Sequence, residues 1–383
     1  MSPSRPAFQS ARSRSAGPTC WHLFGESTSR SARRSAPTRR PGGRSASGSP
    51  PSLRASGTQS RADYSAGESR ICSALHLVIG AGEFLGDQVS KALASEVPLI
   101  ELSADVDEET LADAMSGVEV VHICTQTWAP GRRLRYRKRP PPRLVRIVEA
   151  ARRAGVKRLV HLSTADVYGS NHFTRINEKT PLKPGHAYER LKLFEEAWLL
   201  DAAGDIEVVV LRPAHVFGRG EDWLLPRLVL GLSRGRVWLP AGAAKAQTFI
   251  AASDVGRACL AAADRGRPGR SYLLAGFDST WRDLLEVACR ALDIPCRISS
   301  LPYDLAYLRA LGEEIITPAG ASVWPGVYAV DVIAKPHFYD DSVSRRGLTW
   351  SPSVGSFEQE MPAMVDWLSG VIDSGAAAAV QGA

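Results

Sequence analysis

The sequence predicts an α/β protein: a Rossmann-type, doubly wound parallel sheet with a smaller C-terminal substrate lobe and a disordered N-terminal tail. From residue 74 onward, short apolar runs alternate with amphipathic runs, which is typical of a parallel sheet covered by helices. A glycine-rich turn separates the first apolar run from the first helix. Residues 1–70 instead hold 17 Ser and 12 Arg, with too little apolar periodicity to offset the entropy cost of folding.

The alternation predicts five strands and four helices in order along the chain. The predicted strands are Leu75–Ile79, Leu99–Leu102, Val118–Ile123, Arg158–Leu162 and Glu207–Leu211, and the helices are about Phe84–Ala94, Glu108–Met115, Leu144–Ala154 and Tyr188–Ala202. Beyond Gly218 the pattern is mixed and predicts a lobe built around Trp281–Leu292 and Phe357–Leu368. We therefore predict a basic tail over residues 1–73, a dinucleotide-binding core over 74–218, and a substrate-binding lobe over 219–383 that is interleaved with the core.

Charge and cysteine usage exclude several functional classes. The formal charge of +7 divides into +9 in residues 1–70 and −2 in residues 71–383, so it gives no argument that the folded part binds nucleic acid. The six cysteines form no Cys-x-x-Cys pair, which indicates reduced thiols in a cytoplasmic protein and no zinc site. No apolar run approaches the length of a membrane span. The Arg- and Ser-rich tail also has the composition of a transit peptide, so organelle import is the alternative location.

The glycine-rich turn is a candidate phosphate loop. It reads Gly80-Ala-Gly82-Glu-Phe-Leu-Gly86 between a strand and a helix, where glycines let the backbone approach a pyrophosphate and the helix N-terminus supplies amides. Glu83 departs from this pattern because it stands where a third glycine is expected. A carboxylate about 5 Å from a phosphate costs roughly 3 kcal/mol at an effective dielectric near 20, whereas a carboxylate turned to solvent costs little. Both orientations remain open.

Asp105 is the candidate acid for the adenosine half of a dinucleotide. A Rossmann unit carries such an acid about 20 residues beyond the glycines, and Asp105 follows the predicted strand Leu99–Leu102. The acidic stretch that begins at Asp105 also reads like a later turn that contacts adenine. The alternatives are therefore a ribose ligand and, with one strand–helix unit missing, an adenine contact.

Tyr188 and Lys192 are the candidate catalytic pair. They stand four residues apart and so project from one face of a helix. A lysine ammonium at about 4 Å supplies the energy needed to lower the pKa of a tyrosine by about three units from its usual value near 10. Ser163 and Thr164 end the predicted strand Arg158–Leu162, at the sheet edge where α/β proteins bind ligands.

Together with the segment Leu211-Arg-Pro-Ala-His-Val-Phe-Gly218, these motifs resemble the extended short-chain dehydrogenase/reductase family, in the NAD-dependent epimerase/dehydratase superfamily, over about residues 75–370. The resemblance implies that Tyr188 is the general acid/base, that Lys192 activates it, and that Thr164 hydrogen-bonds the reacting oxygen. It implies NAD or NADP as the cofactor, no metal, a small-molecule substrate and a homodimer formed through the Tyr188 helix. The cofactor-binding residues that it implies are Gly80, Gly82, Gly86, Phe84, Leu85, Asp105, Lys192 and Pro213.

The C-terminal part is most similar to the 3β-hydroxysteroid dehydrogenase-like branch, from stretches such as Leu301-Pro-Tyr-Asp-Leu-Ala-Tyr and Pro336-His-Phe-Tyr-Asp340. Sugar-nucleotide epimerases of the family carry an arginine for the diphosphate where this chain has Gln247. The prediction is therefore an NAD(P)-dependent enzyme that interconverts a secondary alcohol and a ketone on an apolar, sterol-like substrate. The alternatives are a nucleotide-sugar epimerase or dehydratase, and a non-catalytic dinucleotide-binding protein. Aromatic and aliphatic residues could line an apolar pocket or belong to the core: Trp223, Leu224, Trp238, Tyr303, Tyr307 and Trp324.

A basic loop with three prolines is a further departure from the family pattern. Arg132, Arg133, Arg135, Arg137, Lys138 and Arg139 precede Pro140-Pro-Pro, which should prevent a regular helix at that point. The loop is interpreted either as solvated or as a contact for an extra cofactor phosphate.

Overall fold

The computed structural model describes residues 74–125, 139–170, 174–317 and 326–375. The predicted N-terminal tail with Cys20 and Cys72, the basic residues Arg132, Arg133, Arg135, Arg137 and Lys138, and Trp324 lie outside these ranges.

The strands are β1 His76–Ile79, β2 Leu99–Leu102, β3 Val120–Ile123, β4 Arg158–Leu162, β5 Glu207–Pro213, β6 His215–Phe217, β7 Arg236–Pro240, β8 Ala246–Ala251, β9 Ser271–Leu274, β10 Phe277–Thr280 and β11 Arg297–Leu301. The α-helices are α1 Phe84–Ala94, α2 Glu108–Ala114, α3 Pro142–Ala154, α4 Ala187–Ala202, α5 Leu225–Ser233, α6 Ala252–Arg265, α7 Trp281–Ala291, α8 Tyr303–Ile316, α9 Val327–Ala334, α10 Ser342–Leu348 and α11 Phe357–Ser374. A short 3₁₀ turn covers Ala165–Tyr168.

The central sheet is parallel and has the strand order β2-β1-β3-β4-β5-β9. This confirms the predicted Rossmann-type fold. Strands β1 and β3 are buried along their whole length, as expected for strands with helices on both faces. The common Rossmann order 3-2-1-4-5-6 places two strands on the far side of the first strand. Here β2 alone lies beyond β1 among the described residues, so the sheet is one strand–helix unit short on the adenosine side.

Residues beyond Gly218 supply both the small lobe and part of the core. Strand β9 pairs with β5 in the central sheet, and α6 packs against α1. This packing is close, because a Cβ on Gly256 of α6 would collide with the carbonyl oxygen of Gln88 in α1. The separate sheet β10-β8-β6 and the pair β11-β7 belong to the lobe, where α5, α7 and α11 enclose a second apolar core.

Helix α3 begins earlier than the three prolines suggested. The expectation of no regular helix at this point is wrong for the last proline, because Pro142 occupies the first helical position. A proline is tolerated there since its missing N–H would have no partner inside the helix. Within the described ranges, no helix combines the length and apolar character needed to cross a bilayer.

Candidate functional site

The glycine turn between β1 and α1 has the backbone geometry of a dinucleotide loop. Gly80 and Gly82 have φ values of +103° and +88°, a region that favours glycine. A Cβ on Gly86 would overlap the carbonyl oxygen of Gly80, so Gly86 allows α1 to approach the strand. A Cβ on Gly82 would meet nothing within 4 Å, so this backbone faces open space. The backbone at the three glycines is therefore compatible with the predicted pyrophosphate contact, which stays a prediction.

Glu83 is the residue at the N-terminal cap of α1 and is half-buried. Burial raises the pKa of the neighbouring Cys124 thiol; Cys259 and the Glu83 charge add to this rise, while Lys192 opposes it. The Glu83 charge thus acts on the end of β3, beside Gly80, rather than only on solvent. Both predicted orientations of the Glu83 carboxylate toward a bound phosphate stay predictions.

Asp105 lies three residues beyond β2 and is not among the residues that line the cavity of the catalytic candidates. Its side chain is 81% exposed and forms an ion pair with Arg143 of α3. Because β2 is the edge strand, Asp105 lies at the side of the sheet that is one strand–helix unit short. Both of its predicted roles, as a ribose ligand and as an adenine contact, stay open.

Tyr188 stands in the first turn of α4, and the local sequence explains how this helix starts there. Glu189 accepts hydrogen bonds from the backbone amides of Gly185 and His186, which caps the helix. The His186 ring is bonded to Asp331 of α9, with 2.9 Å between Nε2 and Oδ2. Tyr303 and Lys335 also bond Asp331, at 2.8 and 2.6 Å. These contacts fix α9 over the start of α4.

Tyr188 and Thr164 line one cavity of about 120 Å³. Phe84 and Leu85 from the start of α1, and Pro213 from the end of β5, line the same cavity. The structure therefore brings together five of the predicted site residues at the carboxyl ends of the central strands. Ser163 also lines it, but its hydroxyl is bonded to the buried Glu196, which in turn binds Arg212. The adjacent hydroxyl of Thr164 accepts a hydrogen bond of 3.2 Å from the backbone amide of Asp166, whereas the Ser163 hydroxyl belongs to this buried ionic network.

Lys192 is buried on the same helix, and a carboxylate that the sequence argument missed is its partner. Its Nζ lies 3.2 Å from Oε2 of Glu195, one helical turn away, and both side chains are at most 5% exposed. The buried His161 lies 3.8 Å from the same carboxylate oxygen. The Lys192 charge also acts on Cys124, which adjoins Gly80, so the Lys192 ammonium interacts with the end of β3 beside the glycine turn.

The electrostatics around Tyr188 differ from the sequence-based expectation. Burial raises the pKa of the Tyr188 phenol, and Asp166, Glu195, Asp222 and Glu189 raise it further. The net shift in the pKa of Tyr188 is therefore upward, opposite to the effect expected from Lys192, whose ammonium is paired with Glu195. Tyr188 is consequently held in its protonated form at neutral pH.

The remaining polar residues of the cavity were not predicted. Asp166 follows Thr164 by two residues, and its Oδ2 accepts a hydrogen bond of 2.6 Å from the Tyr328 hydroxyl of α9. Asp222 and the buried Glu221 come from the turn before α5. The position of Asp166 just after β4 could have indicated that it belongs to the site. Nothing in the sequence indicates that Tyr328 lies beside Tyr188.

Gln247, which replaces the family arginine, is fully buried in the lobe. Its Nε2 donates to the carbonyl oxygens of Val332, Ile333 and Lys335 at 2.6, 3.2 and 3.0 Å, and its Oε1 accepts from Trp281. Its polar groups therefore hold the end of α9 rather than a substrate anion.

Of the two alternatives predicted for the aromatic and aliphatic candidates, an apolar pocket or the core, the core is the commoner outcome among the described residues. Of the six candidate residues, Trp223 lines the cavity, whereas Leu224 is in the lobe core and Trp238 is 58% exposed on β7. Tyr303 and Tyr307 pack against a small cluster between α8 and α9. Among the described residues, no group of three His, Cys, Asp or Glu side chains is arranged to hold a metal.

Comparison with known families gives a match over about a third of the chain. Residues 143–275 match the model of the NAD dependent epimerase/dehydratase family, a span that includes Thr164, Tyr188 and Lys192. The match confirms the resemblance predicted from the motifs, and the NAD dependence of the family agrees with the predicted choice of NAD or NADP.

The similarity extends to curated relatives, but each alignment covers only part of the relative's length. Sterol demethylase protein B of Methylococcus capsulatus is 33% identical over 146 residues, which are 37% of this chain and 44% of the relative. The 4-hydroxy-2-methyl-3-oxo-4-farnesyl-3,4-dihydroquinoline-1-oxide ketoreductase of Stigmatella aurantiaca is 28% identical over 215 residues, or 54% of this chain and 64% of the relative. The chain thus aligns with about half the length of such relatives.

Among solved structures, the UDP-glucuronic acid 4-epimerase of Bacillus cereus in complex with NAD superposes with a TM-score of 0.60. The identity is 17%, over 78% of this chain and 99% of that structure. The likeness at this identity concerns the fold.

Proposed function

We propose that this chain, which matches the NAD dependent epimerase/dehydratase family over residues 143–275, is an NAD(P)-dependent oxidoreductase that interconverts a secondary alcohol and a ketone. The observation that carries the proposal is the shared cavity of Tyr188 and Thr164, bordered by Phe84 and Leu85 of the glycine-turn helix. A phenol and a hydroxyl that face one small space can both contact a single substrate oxygen.

The roles of the residues follow from their positions. When bound, NAD(P) supplies or accepts the hydride. Tyr188 donates the proton to the carbonyl oxygen, since burial and neighbouring carboxylates keep its phenol protonated. Thr164 lies beside it to hydrogen-bond and orient that oxygen. Lys192, held by its ion pair with Glu195, keeps a fixed cation one helical turn beyond Tyr188 on α4.

An uncharged reacting end is the best match for this cavity. None of the described residues that line it is Lys or Arg, whereas binding a nucleotide-sugar diphosphate calls for such a cation. Gln247 is also committed to backbone carbonyls. Because many small-molecule sites span roughly 300–1,000 Å³, a cavity of about 120 Å³ holds the reacting ring of a larger apolar substrate rather than its whole body.

Tyr188→Phe tests the proposal because it removes only the phenolic oxygen. With NADH or NADPH and a panel of ketones, we expect a loss of turnover of at least about a hundredfold, the usual scale for a general acid. NADH binding, followed by fluorescence titration, should be unchanged. Tyr307→Phe, in the cluster between α8 and α9, is the matched control and should keep wild-type turnover.

Two results would separate the alternatives. Wild-type turnover in Tyr188→Phe would refute the role of the phenol. Cofactor binding without turnover of any alcohol or ketone by the wild-type chain would favour a non-catalytic dinucleotide-binding protein, and saturable binding of UDP-sugars would favour the epimerase alternative.

A further inference from the structure

Helix α8 exposes more large apolar side chains than any other element in the described part of the chain. Nine large hydrophobic residues are exposed there, and five of them lie on this one helix: Leu305, Leu308, Leu311, Ile315 and Ile316. Leu308 is 64% exposed and Ile316 is 76% exposed. Single exposed hydrophobic residues are normal on a protein surface, whereas a group of them on one element indicates an interaction site.

The exposed residues form a second apolar face, opposite the face that α8 buries. Ala306 and Ala310 are buried in the small cluster between α8 and α9. Leu305, Leu308 and Ile316 lie within about 80° of one another around the helix axis, on the other side of α8. A helix at a protein surface normally turns a polar face outward. The outer face of α8 is therefore not explained by packing within the lobe.

Hydrogen bonds fix α8 against α9, which borders the candidate catalytic cavity. At the start of α8, the Tyr303 hydroxyl donates to Asp331 at 2.8 Å. Near its end, Glu314 accepts a hydrogen bond of 2.7 Å from the backbone amide of Val327, the first residue of α9. Tyr328, the next residue, lines the cavity. The apolar outer face thus belongs to an element that is held one helix away from the candidate site.

The size of this face favours a lipid surface over a second copy of the chain as its partner. Helix α8 has 14 residues, so the face is a strip of about 21 Å by 10 Å. A stable dimer buries about 800 Å² on each partner, so a second copy would need complementary surface well beyond α8. Adsorption to a bilayer requires only that the apolar face of one helix enters the boundary between headgroups and acyl chains.

We propose that α8 docks this chain on a lipid surface, with Leu305, Leu308 and Ile316 in the boundary between headgroups and acyl chains. The choice of partner rests in part on the proposed function, because an apolar substrate that is larger than the cavity partitions into lipid. Docking through α8 brings the cavity close to the bilayer from which such a substrate is taken. The contact is peripheral, since the inner face of α8 stays packed against α9.

Flotation of the full chain with vesicles tests the inference without any measurement of turnover. The vesicles consist of phosphatidylcholine alone, and the buffer contains about 0.5 M NaCl, so that the +9 charge of residues 1–70 contributes little. At about 1 mM lipid, roughly half or more of the wild-type chain should float with the vesicles. The double variant Leu305→Gln/Leu308→Gln should reduce the partition coefficient at least about tenfold. The matched control Leu182→Gln/Leu200→Gln, at two exposed leucines outside α8, should leave it unchanged.

Three results would overturn the inference: no flotation of the wild-type chain, an unchanged partition coefficient in the α8 double variant, or an equal loss in the control. Light scattering of the same proteins without lipid tests the other occupant, because a dimer that only the α8 variant dissociates would assign the face to a second copy. Ile316→Gln is an independent single variant and should reduce the partition coefficient about threefold or more. If the chain floats but reduces no ketone, the proposed function fails and the lipid-docking surface stands. If it reduces ketones but does not float, the docking surface fails and the proposed function stands.

Discussion

The stability of the lobe should depend on pH through Glu221. This carboxylate accepts hydrogen bonds from the amides of Trp223, Leu224 and Leu225 at 2.9, 2.9 and 2.7 Å, at the start of α5. Burial raises the pKa of Glu221 from 4.5 to about 7, because the three amides and the helix N-terminus do not fully replace water. The folded state therefore binds this proton more tightly than the unfolded state does.

The sign and size of the effect follow from this pKa difference. Below pH 4.5 the group is protonated in both states, and it costs nothing. As the pH rises from 4.5 through 7, the unfolded state loses its proton first, so the free energy of unfolding falls. Between pH 5 and pH 8 the linkage relation gives a loss of about 2.5 kcal/mol from this group.

Glu221→Gln removes the titration and keeps an oxygen that accepts the amide hydrogens. Urea unfolding at pH 5 and pH 8 should show the variant gaining about 2.5 kcal/mol relative to wild type between the two conditions. Glu101→Gln, exposed on β2, is the control and should follow the pH dependence of wild type. The reasoning is refuted if the difference between Glu221→Gln and wild type is the same at both pH values.

Two further predictions concern the glycine turn. Glu83→Gln should bind NADH and NADPH more tightly than wild type in a fluorescence titration, because it removes a negative charge beside the phosphate loop; unchanged affinity would show that the carboxylate faces solvent. Gly86→Ala should lose NADH binding and about 1–3 kcal/mol of unfolding free energy, because its Cβ would overlap the Gly80 carbonyl. Gly312→Ala, exposed in α8 with nothing within 4 Å of its Cβ, should instead gain roughly 0.5–1 kcal/mol, and a stable, NADH-binding Gly86→Ala would contradict the close-packing argument.

The sequence was sufficient for the central sheet because its elements are encoded locally. Each predicted strand and helix of the first part is present, with ends that differ by no more than two residues. Strands such as β1 and β3 are short apolar runs that are buried along their whole length, so their composition reveals them. Strands β10 and β11 of the lobe are only partly buried and have no such signal. They depend on pairing with β8 and β7, which a local pattern does not encode.

Site residues could be predicted from the sequence only where their position at the end of one strand or the start of one helix was enough to place them. The end of β4 places Thr164, and the first turn of α4 places Tyr188, so both follow from local rules. Asp222 and Tyr328 reach the same cavity from the turn before α5 and from α9, more than 30 and 130 residues after Tyr188 in the chain. Spacing arguments contain no information about such contacts, and the charge of the cavity was therefore missed.

The surrounding charges also bear on the direction of the proposed reaction. Oxidation of an alcohol requires Tyr188 to accept a proton, so its phenolate must be populated first. Burial and the carboxylates of Asp166, Glu195 and Asp222 disfavour that anion, and the ammonium of Lys192 is already paired with Glu195. Reduction of a ketone requires only the phenol, which is the form that these groups maintain. In the proposed reaction, reduction of a ketone therefore begins from the protonated form of Tyr188, and the phenolate that it leaves must regain a proton before the next turnover.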